Sequence, residues 1–282
     1  MVKIRNLQFS YKKKILYQDF DIAFDSEHIY GLLGKNGSGK TTLLSLISGG
    51  LFAKNGKIDT LGYNPKDRNA DMLSQIFYLP EQIILPALSS KNYLKLYTSF
   101  YPNFNMSDFE KYAKLFEVEE VKNIGKLSMG QQKKFLLSFG LASNCPLNLL
   151  DEPTNGLDIP SKTIFRKMIA SCASEDKTFI ISTHQVKDIE NLIDHVCIVE
   201  DAQVALNASI KDINDNLEMS QQNALDGSEI YSQEIGLGQF TVIKENSTAK
   251  ANSIDLELLF NATIKNKKAL NKALNKKHGG VK

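Results

Sequence analysis

Residues 2–9 and 15–24 alternate apolar and polar positions, and Phe20, Ile22 and Phe24 fall on one side of the second run. A period of two predicts half-buried strands. Residues 28–33 feed a glycine-rich stretch, 34–39, after which Leu43, Leu44 and Ile47 recur at helical spacing through 40–48. A short apolar run, 76–79, ends at Pro80. From about 87 to 145 the period becomes helical. Phe109, Tyr112, Ala113 and Phe116 make one face there, and Ser107 with Glu110 has the spacing of a capping box. Apolar strands return at 147–150 and 178–181, with Pro160 in the first turn of the helix between them.

Strand alternating with helix implies a parallel sheet covered on both faces, with residues 87–145 as a helical lobe off it. Residues 196–206 read as a hairpin around Asp201-Ala202-Gln203. One domain is therefore expected over 1–208. Beyond it the composition shifts toward Asn, Ser and Lys. Two β-like runs, 229–233 and 239–243, and an apolar helix, 256–264, predict a small α+β appendage over 209–264. Residues 265–282 carry seven lysines and no acid, and are expected to be a solvated, frayed tail.

The chain has 282 residues, with 34 basic against 32 acidic side chains and a formal charge of +2. No whole-chain field calls for nucleic acid, and three arginines (Arg5, Arg68, Arg166) leave few planar forks for reading bases. The longest apolar runs, 76–79 and 196–199, are four residues each, far short of the ~18 a membrane span needs. The first residues contain no apolar leader, so no secretion signal is expected. Cys145, Cys172 and Cys197 form no metal or redox pattern and are expected to be buried free thiols.

Chemistry enters with Gly34-Lys35-Asn36-Gly37-Ser38-Gly39-Lys40-Thr41, which matches the P-loop pattern between a strand and a helix. Glycines let the backbone turn successive N–H groups toward phosphate oxygens, and the helix adds its positive end. Lys40 reaches the β and γ phosphates, and the Thr41 hydroxyl is offered to Mg²⁺.

The strand 147–150 ends in Asp151 and Glu152. Beside a P-loop, Asp151 is placed to hold the metal through its water shell and Glu152 to polarise a water in line with the γ-phosphate. His184 ends another apolar strand, where it can bridge a γ-phosphate oxygen and the attacking water or its carboxylate. Further back, Ser128 and Gln131 form an S-x-x-Q capping box, so Ser128 starts a helix, and Gly130 leaves room for a phosphate near the backbone.

Leu127-Ser128-Met129-Gly130-Gln131 resembles the LSGGQ signature of ABC-type ATPases, with Met129 replacing the first glycine. Asp158, in Asn155-Gly156-Leu157-Asp158, resembles the D-loop, and His184 the switch histidine. The resemblance spans residues 1 to about 210. It implies an ATP-binding subunit of an ABC transporter. The fold would be α/β: a P-loop NTPase sheet with an antiparallel β-subdomain, the helical lobe and the C-terminal appendage. ATP and Mg²⁺ would be its cofactors. The ATP-binding set would be Tyr11, stacking on adenine, with Gly34, Lys35, Asn36, Gly37, Ser38, Gly39, Lys40, Thr41 and Thr42. Ser128, Met129, Gly130 and Gln131 would face the ATP of a partner subunit. The family's metal-sensing glutamine follows a proline; here Glu81 stands in that place in strict register, and Gln82 if the register slips by one.

The resemblance further implies two ATPase subunits, plausibly identical, closing head to tail over two ATPs. Separate transmembrane permease subunits would be docked near residues 81–101, with this chain peripheral on the cytoplasmic face of the cell membrane. The Pro-Glu pair and the appendage resemble exporter subunits. The other expectation is a soluble ABC-type ATPase acting on ribosomes or nucleic acid. Ribosome-directed relatives usually carry two cassettes in one chain, and DNA-repair relatives insert a long coiled coil before the signature; neither fits here.

Overall fold

A computed structural model describes residues 1–173, 176–246 and 253–275. Strands β1 (Val2–Tyr11) and β2 (Lys14–Phe24) are followed by β3 (Ile29–Leu33), helix α1 (Lys40–Ile47) and β4 (Asn55–Thr60). A short α2 (Ala70–Leu73) and β5 (Ile76–Leu79) lead to the lobe helices α3 (Ser90–Tyr97), α4 (Met106–Leu115) and α5 (Met129–Ala142). Then come β6 (Leu147–Asp151), α6 (Ile159–Cys172), β7 (Thr178–Thr183), β8 (His195–Glu200) and β9 (Gln203–Ser209). The appendage holds α7 (Ile210–Asn216), β10 (Leu217–Gln222), β11 (Tyr231–Gly236), β12 (Gln239–Glu245) and α8 (Leu256–Asn275).

The central sheet has the order β5-β6-β7-β3-β8-β9, with β9 alone antiparallel to its neighbour. β2-β1-β4 and β10-β12-β11 are separate antiparallel sheets. Every residue of β3, β6 and β7 is buried, as expected of parallel strands covered on both sides. Alternate residues serve two different cores. Leu32, Leu149, Ile180 and Cys197 face α1 and the β1-β2-β4 sheet. Leu33, Leu150, Ile181 and Ile198 face the lobe, α6 and the appendage. Each fully buried aliphatic side chain contributes roughly 1.5–3 kcal/mol, so both layers are needed to hold the sheet.

The structure departs from the sequence expectations at several places. α4 is capped by Asn105, whose Oδ1 accepts from the Asp108 N–H at 3.2 Å; Ser107 lies inside the helix. The late hairpin turns on two residues, Asp201 and Ala202, both with positive φ (46° and 60°), and Gln203 already belongs to β9. That is the backbone twist a tight hairpin prefers. β4 has no apolar alternation, because it is a polar edge strand held by pairing with β1.

The largest departure is α8. It does not stop at Ile264 but continues to Asn275, with a non-helical Asn266 in the middle. Asn266 Nδ2 donates to the Ile230 carbonyl at 2.9 Å there, and Leu270 and Ala273 are buried beyond it. The lysines hid this second half: Lys267 and Asn271 lie over the β9 edge and donate to the Val204 and Ala205 carbonyls, while the leucine and alanine turn inward. The rest of the lysine-rich stretch, 276–282, lies outside the described residues. The appendage has no core of its own, since Leu217, Ile243 and Leu259 belong to the same cluster as the lobe and central sheet. Among the described residues no helix is long and apolar enough to cross a membrane. All three cysteines are buried and free, and burial pushes the Cys145 thiol up to about 11.

Candidate nucleotide site

The loop after β3 bends where glycine is required. A Cβ on Gly34 would lie 2.5 Å from the Val199 carbonyl oxygen, and Gly39, at φ +106°, would meet the Tyr17 hydroxyl. Gly39 is also the N-cap of α1, and no side chain caps that helix. Its first N–H groups therefore point into the loop without a side-chain acceptor, the arrangement that binds anions at helix N-termini. Lys40 is buried, and its Nζ donates to the Gly34 and Lys35 carbonyls at 2.7 and 3.2 Å. Burial lowers its pKa, while the carboxylates of Glu152, Asp151 and Glu81 pull the other way.

Asp151 ends β6, fully buried, and one carboxylate oxygen accepts a short hydrogen bond from the Ser182 hydroxyl. Its other oxygen, Oδ2, is buried without a partner. A buried carboxylate oxygen is costly to leave unsatisfied, so this atom suits a cation or its bound water. The donor set fits magnesium: Thr41 and Glu81 line the adjoining cavity, and the buried Asp151 carboxylate is near enough to act on Lys40.

Glu152 follows with φ +46°, a left-handed backbone that turns its side chain back toward β7. Its Oε1 accepts from the His184 N–H at 3.0 Å and from His184 Nδ1 at 2.7 Å, and its Oε2 accepts from the Thr183 hydroxyl at 3.1 Å. Glu152 is thus held in one orientation beside the P-loop, with lone-pair capacity left on Oε2 for a water.

A cavity of about 480 Å³ gathers Tyr11, Asn36, Gly37, Gly39, Lys40, Thr41, Thr42, Glu81, Glu152 and His184. Tyr11, half exposed, stands edge-on to Phe9 and contacts the Thr42 hydroxyl at 3.1 Å. Glu81, not Gln82, faces the cavity. Lys35 pairs with Glu200 and lines a neighbouring cavity that also reaches His184. Ser38 is buried behind the loop.

The signature residues are not among those lining this cavity. Ser128 caps α5: its Oγ accepts from the Gln131 N–H, and Gln131 Oε1 accepts from the Ser128 N–H. Met129 is exposed, and Asp158 caps α6 on the surface by accepting from the Ser161 N–H at 2.8 Å, bonds that hold its carboxyl below the usual range. The constraint on Gly130 comes from within the chain, where a Cβ would sit 2.5 Å from the Gly156 carbonyl oxygen.

One residue escaped the sequence reading. Lys133, on α5 one turn past the capping box, is fully buried and donates to the carbonyls of Glu152 and Asn155 at 2.7 and 3.0 Å. Burial lowers its pKa, against the pull of Glu81, Glu152 and Asp151. The only signal was a lysine two and four residues before the apolar positions Phe135 and Leu137, indistinguishable in sequence from its neighbour Lys134, which instead pairs with Asp158.

Comparisons with known proteins give the family and the fold. The sequence profile of the family described as "ABC transporter" matches residues 17–155. The chain is 30% identical over 203 residues to the ABC transporter ATP-binding protein YtrB of Bacillus subtilis (strain 168), covering 71% of this chain and 69% of that protein. Among solved structures, an ATP-binding subunit of an ABC transporter superposes with a TM-score of 0.69 at 23% identity, over 76% of this chain and 92% of that one. A dimeric, post-hydrolysis ATP-binding cassette with ADP and Pi bound gives 0.64 at 22% identity, over 74% and 98%. This chain belongs to the ABC transporter family, among its ATP-binding ATPase subunits.

Proposed function

We propose that two copies of this chain close head to tail over two ATP molecules and that hydrolysis reopens them, driving transport through separate membrane subunits. The observation that carries this reading is the separation of the two motif sets. Ser128 to Gln131 stand at a helix N-terminus on the surface, outside the cavity made by the chain's own P-loop. A second copy can bring its signature to that cavity. That a cassette of the same fold is dimeric with ADP and Pi bound supports the association of two copies.

In the proposed site the loop N–H groups, the α1 N-terminus and Lys40 hold the phosphates, and Tyr11 stacks on the adenine. Asp151, Thr41 and Glu81 would hold Mg²⁺, which would neutralise charge developing on the phosphates. Glu152 accepts a proton from water as the water oxygen bonds to the γ-phosphorus and the bond to the ADP oxygen breaks. His184 fixes Glu152 in line.

The lobe would dock the membrane subunits through Ile84, Leu96 and Phe100, which are exposed apolar side chains on that side. That places the chain peripherally, on the cytoplasmic face of the membrane. We assign the direction as export on the resemblance of the Pro-Glu pair and appendage to exporter subunits. The test is gel filtration of Glu152→Gln with ATP and Mg²⁺. A stable dimer that disappears without ATP supports the reading; a monomer under saturating ATP overturns it.

A further inference from the structure

At the ends of the strands opposite the nucleotide cavity, two of the chain's four histidines meet one carboxylate. His28 immediately precedes β3, and His195 opens β8, its parallel neighbour. Asp194 sits between them in sequence and space. His28 Nδ1 lies 3.3 Å from Asp194 Oδ2, and His195 Nδ1 lies 3.0 Å from Asp194 Oδ1. The two imidazoles are 4.1 Å apart between centroids, and both rest against the Tyr30 ring.

The carboxylate is fixed before any ligand arrives. The Ile29 N–H donates to Asp194 Oδ1 at 3.1 Å, the Asp194 N–H donates to the Ile29 carbonyl at 3.1 Å, and the Ile210 N–H donates to the Asp194 carbonyl at 2.7 Å. One ligand atom from each of the three residues lies within 4.8 Å of the others. A tetrahedral ion with bonds of about 2.0–2.1 Å needs ligand atoms roughly 3.3–3.4 Å apart. Each imidazole Nδ1 lies near that distance from one oxygen of the carboxylate, His28 from Oδ2 and His195 from Oδ1. The side chains are 35%, 51% and 22% exposed for His28, Asp194 and His195, so an ion has a way in.

We propose that His28, Asp194 and His195 form a binding site for a divalent transition-metal ion of the zinc type, with its remaining position open to water. Two imidazoles and one carboxylate select such an ion over magnesium, which takes oxygen ligands and keeps its own waters. Each neutral imidazole ligates through Nδ1 with its proton on Nε2. The ion replaces the N–H···O contacts that the carboxylate makes to the two rings. It clamps the start of β3 to the start of β8. The far end of β3, roughly 13 Å away at a strand rise of ~3.3 Å per residue, carries the P-loop. The same ion holds the end of the segment that begins at His184.

The experiment uses the full, tag-free chain, stripped with chelator and titrated with Zn²⁺ by calorimetry. Co²⁺ serves as a second probe through its visible absorption. One Zn²⁺ per chain is expected, with a rise in melting temperature on binding. His28→Gln and His195→Gln should each weaken binding at least ~10-fold, a loss that even supporting partners of a metal ligand produce. His278→Gln should bind as the parent does. Circular dichroism of the metal-free variants and binding of a labelled ATP analogue establish that each is folded with its nucleotide site intact. Zn²⁺ affinity unchanged in the His28→Gln/His195→Gln double variant, or no binding by the parent chain, overturns the assignment. Failure of either kind with ATP-analogue binding intact leaves the nucleotide reading standing.

Discussion

The two helix N-termini that carry the family's motifs are built in opposite ways. At α1 the N-cap is Gly39, and no side chain satisfies the first N–H groups. At α5 the N-cap is Ser128, and its capping box with Gln131 satisfies donors at both ends. The first helix offers its N–H groups to an external anion, while in the second the Gln131 N–H is already taken by the Ser128 hydroxyl. Under the proposed dimer, a phosphate reaching α5 competes with the chain's own cap. That competition makes the contact weak until both subunits are aligned, a suitable property for a surface that must also reopen.

Removing the base tests the first set hardest. Glu152→Gln should lower steady-state ATP turnover by ~10²–10⁴-fold while a labelled analogue still binds. Unchanged turnover would remove Glu152 from its role. Lys40→Ala should weaken analogue binding by about a hundredfold, because a charged donor to the phosphates is lost. Filter binding or fluorescence polarisation measures it.

Lys133 joins the two sets, so its loss should register in both. Lys133→Met keeps an unbranched side chain one atom shorter and leaves the Glu152 and Asn155 carbonyls without their donor. A loss of about 1–3 kcal/mol is expected in urea unfolding, together with reduced turnover. Stability unchanged within error would show that water replaces the amine without cost. Ser128→Arg should have the smallest effect on the isolated chain. Analogue binding should stay within about twofold of the parent, since Ser128 lies outside the cavity, while the ATP-dependent dimer is lost. If it bound as poorly as Lys40→Ala, the contrast between the two helices would be wrong.

Legibility in sequence followed how local each determinant is. The P-loop is contiguous, and its residue types are dictated by backbone conformation, so residues 34–41 were readable as a site. Asp151, Glu152 and His184 were readable because each ends an apolar strand. The α5 capping box was likewise visible as Ser128 and Gln131. Lys133 was not, because its function depends on two carbonyls reached only after α5 packs under the 152–155 loop. The second half of α8 was masked by composition: its lysines lie over a sheet edge while Leu270 turns inward. The polar strand β4 was invisible to hydrophobic period, since its place is set by the β1 backbone it pairs with.

The division of the central sheet between two cores has a consequence for the order in which a growing chain can fold. The face toward α1 draws on no residue beyond Val204. The opposite face is finished only by Leu217, Ile243, Leu259 and Leu270. At ~5–20 residues added per second, several seconds separate the two events on the ribosome. During that interval Leu206 and Ile198 face an incomplete layer. Closing it requires contacts between residues far apart in sequence, which form slowly. The appendage therefore acts as a late clasp on an already folded half, and the nascent protein should be most prone to aggregation, and most in need of a chaperone, just before α8 emerges.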